Sequence, residues 1–152
     1  MFRNNIIAFP GAWKCEGVGN CDNAGLRSSQ HPPGSGKGSH SSFAFENNIV
    51  LLNHNYSTPL YTTMPTGLKN DTFDRNVYWS MTAGADMPFG PTQDPESFAV
   101  WQASGNDVHS VLADPQFVNA EALDFGLEPD SPALALGFKP IDFSTNGPRR
   151  MP

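Results

Sequence analysis

The stretch FENNIVLL, residues 45–52, places a phenylalanine and two asparagines just before an unbroken apolar run. FRNNIIAF at 2–9 and FDRNVYWS at 73–80 follow a similar order of residue types. Their leading phenylalanines are 43 and 28 residues apart. A period in the twenties is typical of a solenoid, whose repeats bury their apolar faces against one another. The longer interval fits one repeat with an insertion of roughly 15 to 20 residues.

The apolar residues of these repeats are mainly Ile, Val, Phe, Tyr and Trp, which favour strands. The asparagine before each Ile or Val is expected at a bend between two strands, because Asn tolerates left-handed backbone angles. If the repeats stack, Asn5, Asn48 and Asn76 stack with them, and their side-chain amides are predicted to form a ladder. The alternative is three unrelated asparagine turns, which the matching phenylalanines disfavour.

Residues 15–42 are poor in apolar residues and rich in Gly, Ser and Pro. They are predicted to be a long inserted loop with little regular structure. Cys15 and Cys21 lie in this loop, where they could close a small disulfide or remain free thiols. A metal site is the less favoured interpretation, because no second pair of ligands at matching spacing accompanies them.

Residues 94–104 predict a short helix with Asp94 as its N-cap, and Gly105 ends it. Phe98 and Trp101 would share its buried face. Residues 109–119 predict two short strands broken at a proline turn, and DFGLEP predicts another strand.

The segment 131–143 begins with a second helix start, in which Ser131 caps, Pro132 takes the first position and Gly137 ends the turn. Phe138 and Ile141 in this segment are expected to cover the apolar end of the last repeat. The polar residues that follow are expected to fray.

Charge and hydropathy argue against two classes of partner, nucleic acids and membranes. The formal net charge is −6 and the nine basic residues are scattered, which argues against a nucleic-acid partner. No apolar run approaches the roughly 20 residues of a membrane span. No signal peptide precedes the first repeat, so the chain is expected either to be cytosolic or to lack its natural N-terminus.

Four stretches carry a resemblance to a known family: SFAFENNIVLL, FDRNVYWS, WQASGNDVHSVLADPQFV and DFGLEPDSPALALGFKPIDFSTNGPR. Together they resemble the C-terminal end of bacterial, carbohydrate-active proteins with a right-handed parallel β-helix. The resemblance implies one all-β domain over 1–152, with about three coils, a C-terminal closing segment and short helices. It also implies a fragment of a longer solenoid, which would be secreted or periplasmic in full length.

Members of this family include glycoside hydrolases and polysaccharide lyases. A hydrolase needs two carboxyl groups about 5 to 9 Å apart. Glu46 and Asp74 occupy the same repeat position, so stacking would bring them to roughly 5 Å. The favoured alternative is an outward polar row in which Arg3 pairs with Glu46. Asp107 and His109 alternate with one valine and are expected on one face of an extended segment, where they could act as a base or merely close the coil.

Three residues are candidates for contact with a sugar: Trp13, His54 and Tyr78. Either Tyr78 or the adjacent Trp79 should point outward, whereas Trp101 is expected in the core. No resident cofactor is expected, except Ca²⁺ if the protein is a lyase, whose uronate substrate needs a neutralising cation.

The predicted function is that of the terminal coils of a carbohydrate-active β-helix protein, inactive alone, with polysaccharide as partner. The alternative is a non-catalytic structural or carbohydrate-binding module that assembles through its open N-terminal end, most simply as a homodimer. The loop 15–42 could instead fold over that end.

Overall fold

A computed structural model describes residues 1–8, 26–27, 43–52, 61–62, 71–87, 89 and 97–142. These residues are mostly short strands with a few helical turns, which confirms the predicted β-rich class. The strands are β1 (Phe2–Arg3), β2 (Ile6–Ala8), β3 (Leu26–Arg27), β4 (Phe43–Glu46), β5 (Ile49–Leu52), β6 (Tyr61–Thr62), β7 (Asp71–Asp74), β8 (Val77–Ser80), β9 (Val111–Leu112), β10 (Phe117–Asn119) and β11 (Asp124–Leu127). The helical segments are α1 (Phe98–Ala103), a 3₁₀ turn (Ala120–Ala122) and α2 (Pro132–Ala135).

The three repeats pair side by side in parallel sheets. The strand before each bend joins one sheet in the order β1-β4-β7, and the strand after each bend joins another in the order β2-β5-β8-β9. Phe45 is opposite both Phe2 and Phe73, and Ile49 is opposite both Ile6 and Val77. These are the pairings that the sequence predicts.

The predicted insertion is described at only one place. Leu26–Arg27 pairs in parallel with Tyr61–Thr62, so the described part of the insertion is a short strand. The other residues of 15–42, including both cysteines, lie outside the described residues. The prediction of a long loop therefore remains a prediction.

The bend in each repeat turns one residue earlier than predicted. The left-handed residues are Asn4, Asn47 and Arg75, with φ of 58°, 51° and 55°. They immediately precede the stacked asparagines. Asn suits this conformation at the first two positions, because its short polar side chain tolerates it. The third repeat adopts the same bend with Arg75, so the surrounding strands impose the conformation there.

Strand β5, which follows the second bend, is buried on both faces. Val50 and Leu52 point into one apolar cluster, with Phe45 and Tyr78 among its members. Ile49 points the opposite way, into a second cluster with Val77, Ala133 and Phe138. A parallel strand covered on both sides needs a continuous apolar sequence, which explains the unbroken IVLL of β5.

Helix α1 closes the aromatic stack of the first cluster. The rings of Phe2 and Phe45 stack at 5.6 Å, those of Phe45 and Phe73 lie 6.1 Å apart, and Trp101 meets Phe73 edge-on at 5.8 Å. Trp101 is only 3% exposed, which confirms its predicted core position.

The predicted start of α1 at Asp94 is wrong. Ser97 is extended and its hydroxyl accepts the N–H of Val100 at 3.3 Å, so the helix begins only after this cap.

The segment 131–142, called the strap below, lies elsewhere than predicted. Its helix start is confirmed, because the Ser131 hydroxyl accepts the N–H of Ala133 and Pro132 begins α2. The strap then crosses the bends of the repeats instead of covering the end of the last one. The Leu136 carbonyl accepts from the Asn47 amide at 2.8 Å. Lys139 exchanges two main-chain hydrogen bonds with the Asn4 side chain, at 2.6 and 2.9 Å.

The cap at the end of the core is α1 and not the strap. The reason lies in the outward side chains of the strands after the bends. Ile49 and Val77 need an apolar cover on the outer face of their sheet, and Phe138 supplies it.

Replacing Phe138 with Ala should therefore detach the strap. Phe138 is 5% exposed, and truncating a buried phenylalanine typically costs about 3 to 5 kcal/mol. Urea unfolding should show a loss of about 3 kcal/mol or more. Val100→Ala, at a side chain that is 52% exposed, is the control and should change stability by less than about 0.5 kcal/mol. Equal losses in the two variants would contradict the packing described here.

Candidate functional site

The stacked asparagines form the predicted ladder. The Asn5 amide donates to Asn48 Oδ1 at 2.9 Å, and the Asn48 amide donates to Asn76 Oδ1 at 3.2 Å. Each of these oxygens also accepts the main-chain N–H of the preceding asparagine, at 3.0 and 2.9 Å. Asn48 and Asn76 are buried, so the ladder satisfies polar groups that would otherwise be costly to bury.

The ladder ends on Asp107 and Ser110. The Asn76 amide donates to Asp107 Oδ1 at 2.9 Å, and the Asn76 main-chain N–H donates to the Ser110 hydroxyl at 2.7 Å. These two side chains together replace the single oxygen that a fourth asparagine would offer. Sequence reasoning missed Ser110. A spacing in the sequence does indicate the end of the ladder: Asp107 follows Asn76 by 31 residues, close to the 28 that separate Asn48 from Asn76.

Asp107 is a buried carboxylate whose oxygens are fully engaged. Oδ1 also accepts the Ser110 hydroxyl at 2.5 Å, Oδ2 accepts the Trp101 indole N–H at 2.8 Å, and the Tyr78 hydroxyl lies 3.1 and 3.2 Å from the two oxygens. Burial raises the pKa of Asp107, against the hydrogen bonds from Ser110, Trp101, Asn76 and Tyr78, which lower it. Asp107 is only 1% exposed. Its carboxylate is therefore placed to stabilise the fold and not to contact a polysaccharide.

The prediction that Asp107 and His109 share a face is wrong. Asp107 has a φ of 47°, and the residues around it form a turn rather than an extended strand. The turn sends the Asp107 side chain into the core and leaves the His109 side chain 62% exposed.

His109 instead pairs with Asp74. Its ring Nδ1 lies 2.9 Å from Asp74 Oδ2, and its main-chain N–H donates to Asp74 Oδ1 at 2.9 Å. Partial burial acts to raise the pKa of Asp74, but the hydrogen bonds and charge of His109, with a main-chain bond from Arg75, outweigh it and lower that pKa.

Glu46 takes part in the predicted polar row. It forms an ion pair with Arg3, and it is the direct neighbour of Asp74 in the parallel pairing of β4 with β7. The row on this sheet therefore runs Arg3, Glu46, Asp74, His109. Glu46 is held by Arg3, whereas Asp74 is held by two basic side chains, since the Arg75 guanidinium also lies 3.7 Å from its Oδ2. Both carboxylates of the candidate catalytic pair are thus neighbours, as predicted, and both are already bonded.

The Tyr78 side chain points into the core and not outward, as contact with a sugar would require. It is 1% exposed and packs in the first cluster, whereas Trp79 points outward and is only partly buried. Trp13 and His54 lie outside the described residues, so their proposed contacts with sugar stay predictions.

Trp79 lies in a cleft of about 280 Å³ on the outer face of β5 and β8. Leu51 and Phe117 line it beside Trp79, and the exposed side chains around it are Met81, Asp114, Asn119 and Glu121. Gly84, with φ 59°, lies against the indole: a Cβ there would be 3.4 Å from Cη2 of Trp79. The β10–β11 hairpin brings Asn119 and the neighbouring 3₁₀ turn to this cleft, a tertiary arrangement that no sequence pattern predicts.

The described residues offer no group of three His, Cys, Asp or Glu side chains suited to a metal ion. No helix in the described part of the chain has the length and apolar character needed to cross a membrane.

No protein-family model matches this chain, and no curated protein or solved structure shows significant similarity to it. The residues and contacts described above are therefore what supports a function.

The ladder predicts a graded loss of stability on replacement of its asparagines with alanine. Asn76→Ala removes an acceptor and a donor from a buried site, and each orphaned buried group costs about 1 to 3 kcal/mol, so a loss of about 3 kcal/mol is expected. Asn5→Ala, at the partly exposed end of the ladder, should cost about 1 kcal/mol. Denaturant unfolding measures both values, and a larger loss for Asn5→Ala would contradict the ladder.

The His109–Asp74 pair predicts an acid-sensitive contribution to stability. Because folding lowers the pKa of Asp74, its contribution is present above the ordinary pKa of 3.8 and is lost as the pH falls through the lowered value. Asp74→Asn should therefore make the free energy of unfolding fall less steeply as the pH is lowered below the ordinary pKa of 3.8. Asp86→Asn, at an exposed carboxylate, is the control and should leave the wild-type slope. An unchanged slope for Asp74→Asn would argue against the pair.

Proposed function

We propose that this chain forms the terminal coils of a right-handed parallel β-helix protein that contacts polysaccharide, and that it has no bond-cleaving activity of its own. The observation that carries the proposal is the cleft at Trp79, a partly buried indole among exposed polar side chains. In this proposal the full-length protein is secreted or periplasmic, where polysaccharides are met.

The parallel registers support the β-helix. Each repeat supplies one strand to each of two parallel sheets, on either side of a left-handed bend. Equivalent residues face each other in successive repeats, as expected when each repeat is one coil. The right hand follows from the general rule that crossover connections between parallel strands of one sheet are right-handed in about 98% of cases.

The chemistry of the cleft fits a sugar ring. The apolar C–H face of a pyranose packs on an indole, which combines a large apolar face with specific geometry. Asp114, Glu121 and Asn119 are close enough to the same cleft to bond hydroxyl groups. A volume of about 280 Å³ is near the lower end of small-molecule sites, which suits one sugar unit of a longer chain.

The charge beside the cleft favours a neutral polysaccharide. Asp114 and Glu121 are both exposed beside Trp79, and the chain carries a net charge of −6. A uronate in this cleft would meet like charge at close range, which disfavours its binding. The neutral class is therefore the proposed partner.

The contacts of Glu46, Asp74 and Asp107, none of which lines the cleft, support a lack of turnover at these three carboxylates. A retaining hydrolase needs two free carboxyl groups flanking the scissile bond. Glu46 is paired with Arg3, and Asp74 is paired with His109, while Asp107 is buried and engaged by four side chains. These bonds favour structural roles for Glu46, Asp74, Asp107 and His109.

The alternative is a module that assembles through its N-terminal edge. The observation in its favour is that, among the strands that the structure describes, β1 and β2 lie at the edges of their sheets and that Phe2 is 40% exposed. Unpaired strand edges of this kind recruit other chains. A homodimer through this edge is its simplest form, and the two functions are not mutually exclusive.

Trp79→Ala should weaken binding to a neutral polysaccharide by about tenfold, the equivalent of 1.4 kcal/mol, because the stacking surface is removed. Isothermal titration against a panel of neutral and uronate-containing polysaccharides measures the effect. Val100→Ala, at a residue that does not line the cleft, is the control and should keep wild-type affinity, with unfolding curves checking that both variants fold.

Failure of the wild-type chain to bind any neutral polysaccharide would overturn the carbohydrate proposal. Saturable release of sugar products by the chain alone would overturn the claim that it has no activity of its own.

A further inference from the structure

The ladder has a direction, and this gives its two ends different chemistry. Every amide in it donates forward, from Asn5 to Asn48, from Asn48 to Asn76, and from Asn76 to Asp107. The forward end is closed by a buried carboxylate that can only accept. At the other end, no donor among the described residues contacts Asn5 Oδ1, although the equivalent oxygens of Asn48 and Asn76 each accept two hydrogen bonds.

The edge also has two hydrogen-bond donors, whose directions are inferred from the equivalent groups of the second and third repeats. The amides of Asn48 and Asn76 each donate backward to a phenylalanine carbonyl of the preceding repeat, at 3.2 and 2.9 Å. The main-chain N–H groups of Ile49 and Val77 donate backward to Asn5 and Asn48 carbonyls, at 2.9 and 2.8 Å. The matching groups of the first repeat are the Asn5 amide and the Ile6 N–H.

The apolar part of the edge is equally specific. The Phe2 ring stacks on Phe45 with only 5° between the ring planes, and it is 40% exposed. The edge therefore combines an aromatic face, one acceptor that takes two donors, and two donors, all at positions set by the pairing of the repeats.

We propose that this edge, formed by Phe2, Asn5 and Ile6, is a docking site for a partner segment that carries a strand–bend–strand repeat with asparagine at the bend. The inference rests on the proposed β-helix but not on the polysaccharide cleft. The bend asparagine of the partner donates its amide and main-chain N–H to Asn5 Oδ1, and its carbonyl accepts from Ile6. A parallel strand with an aromatic residue three positions before that asparagine covers Phe2, and its carbonyl accepts from the Asn5 amide.

The same chemistry disfavours a second copy of the chain at this edge. A symmetric dimer would set one Asn5 acceptor against another, and its paired strands would run antiparallel. A head-to-tail stack would present the buried acceptors at Asp107 instead of an asparagine donor. The partner that matches is the preceding coil of the proposed β-helix, added as strands to the sheet edges, a mode of recognition in which main-chain bonds supply affinity and side chains supply specificity.

The test uses a labelled peptide of residues 43–52, FAFENNIVLL, with lysines added at its C-terminus for solubility, titrated against the intact chain by fluorescence anisotropy. Saturable binding is expected. An Asn48→Asp peptide, which lacks the amide donor but keeps its shape, should bind at least tenfold more weakly, whereas a Glu46→Gln peptide should bind within about threefold, since its Glu46 is outside the ladder. Equal binding of the Asn48→Asp peptide, or no binding of any peptide, would overturn the proposal.

A variant of the chain tests the edge itself. Ile6→Pro removes the edge N–H and should abolish peptide binding, because proline is tolerated at sheet edges but cannot donate. Because the Ile6 side chain also packs against the second cluster, Ile6→Ala, which keeps the N–H, is the matched control and should keep peptide binding. Both variants should keep the wild-type affinity for neutral polysaccharide, and Trp79→Ala should leave peptide binding unchanged. A failure of docking would therefore appear as lost peptide binding with polysaccharide affinity retained, and a failure of the polysaccharide proposal as the reverse. Sedimentation at micromolar concentration tests for self-association. A dimer that Ile6→Pro disrupts would overturn the proposal, because the occupant of the edge would then be a second copy of the chain.

Discussion

The hydrogen bond from one asparagine amide to the oxygen of the next is the interaction on which the other parts of this structure depend. It is buried, so slipping the pairing by one residue would leave the amides of Asn48 and Asn76 without partners in an apolar environment. The ladder thereby fixes the register of both parallel sheets at once. Asp107 and Ser110 end it with groups that accept hydrogen bonds, which ties the turn after α1 to the third repeat.

The fixed register decides what packs on each side of the strands. Aligned repeats place Phe45 and Phe73 in one column, closed by Trp101. They also place Ile49 and Val77 in a column on the opposite face, which Phe138 of the strap covers. The strap in turn bonds the side chains of Asn4 and Asn47. The asparagine-rich bends are therefore held from both directions, by the ladder inside and by the strap outside.

This arrangement separates the polar residues that hold the fold from those that remain available to a ligand. Glu46, Asp74 and Asp107 are all bonded within the described structure. Asp114 and Glu121 lie instead at an exposed cleft beside Trp79. The proposed contact with polysaccharide and the proposed docking of a repeat thus use different surfaces, one on the outer face of a sheet and the other at its edge.

The sequence by itself determined the local features: the three repeats, their pairing, the asparagine ladder, the Arg3–Glu46 pair and the start of α2 all follow from residue types at matched spacing. Tertiary structure alone decided the location of the strap, the termination of the ladder on Asp107 and Ser110, and the cleft at Trp79. The physical reason is that repeats display their contacts as a period along the chain. By contrast, the strap and the β10–β11 hairpin pack on surfaces that exist only once the strands have been aligned. Asp107 shows this limit most clearly, because its sequence neighbours predict an extended segment with Asp107 and His109 on one face, whereas Asp107 lies in a turn that buries its carboxylate among the donors Asn76, Tyr78 and Trp101.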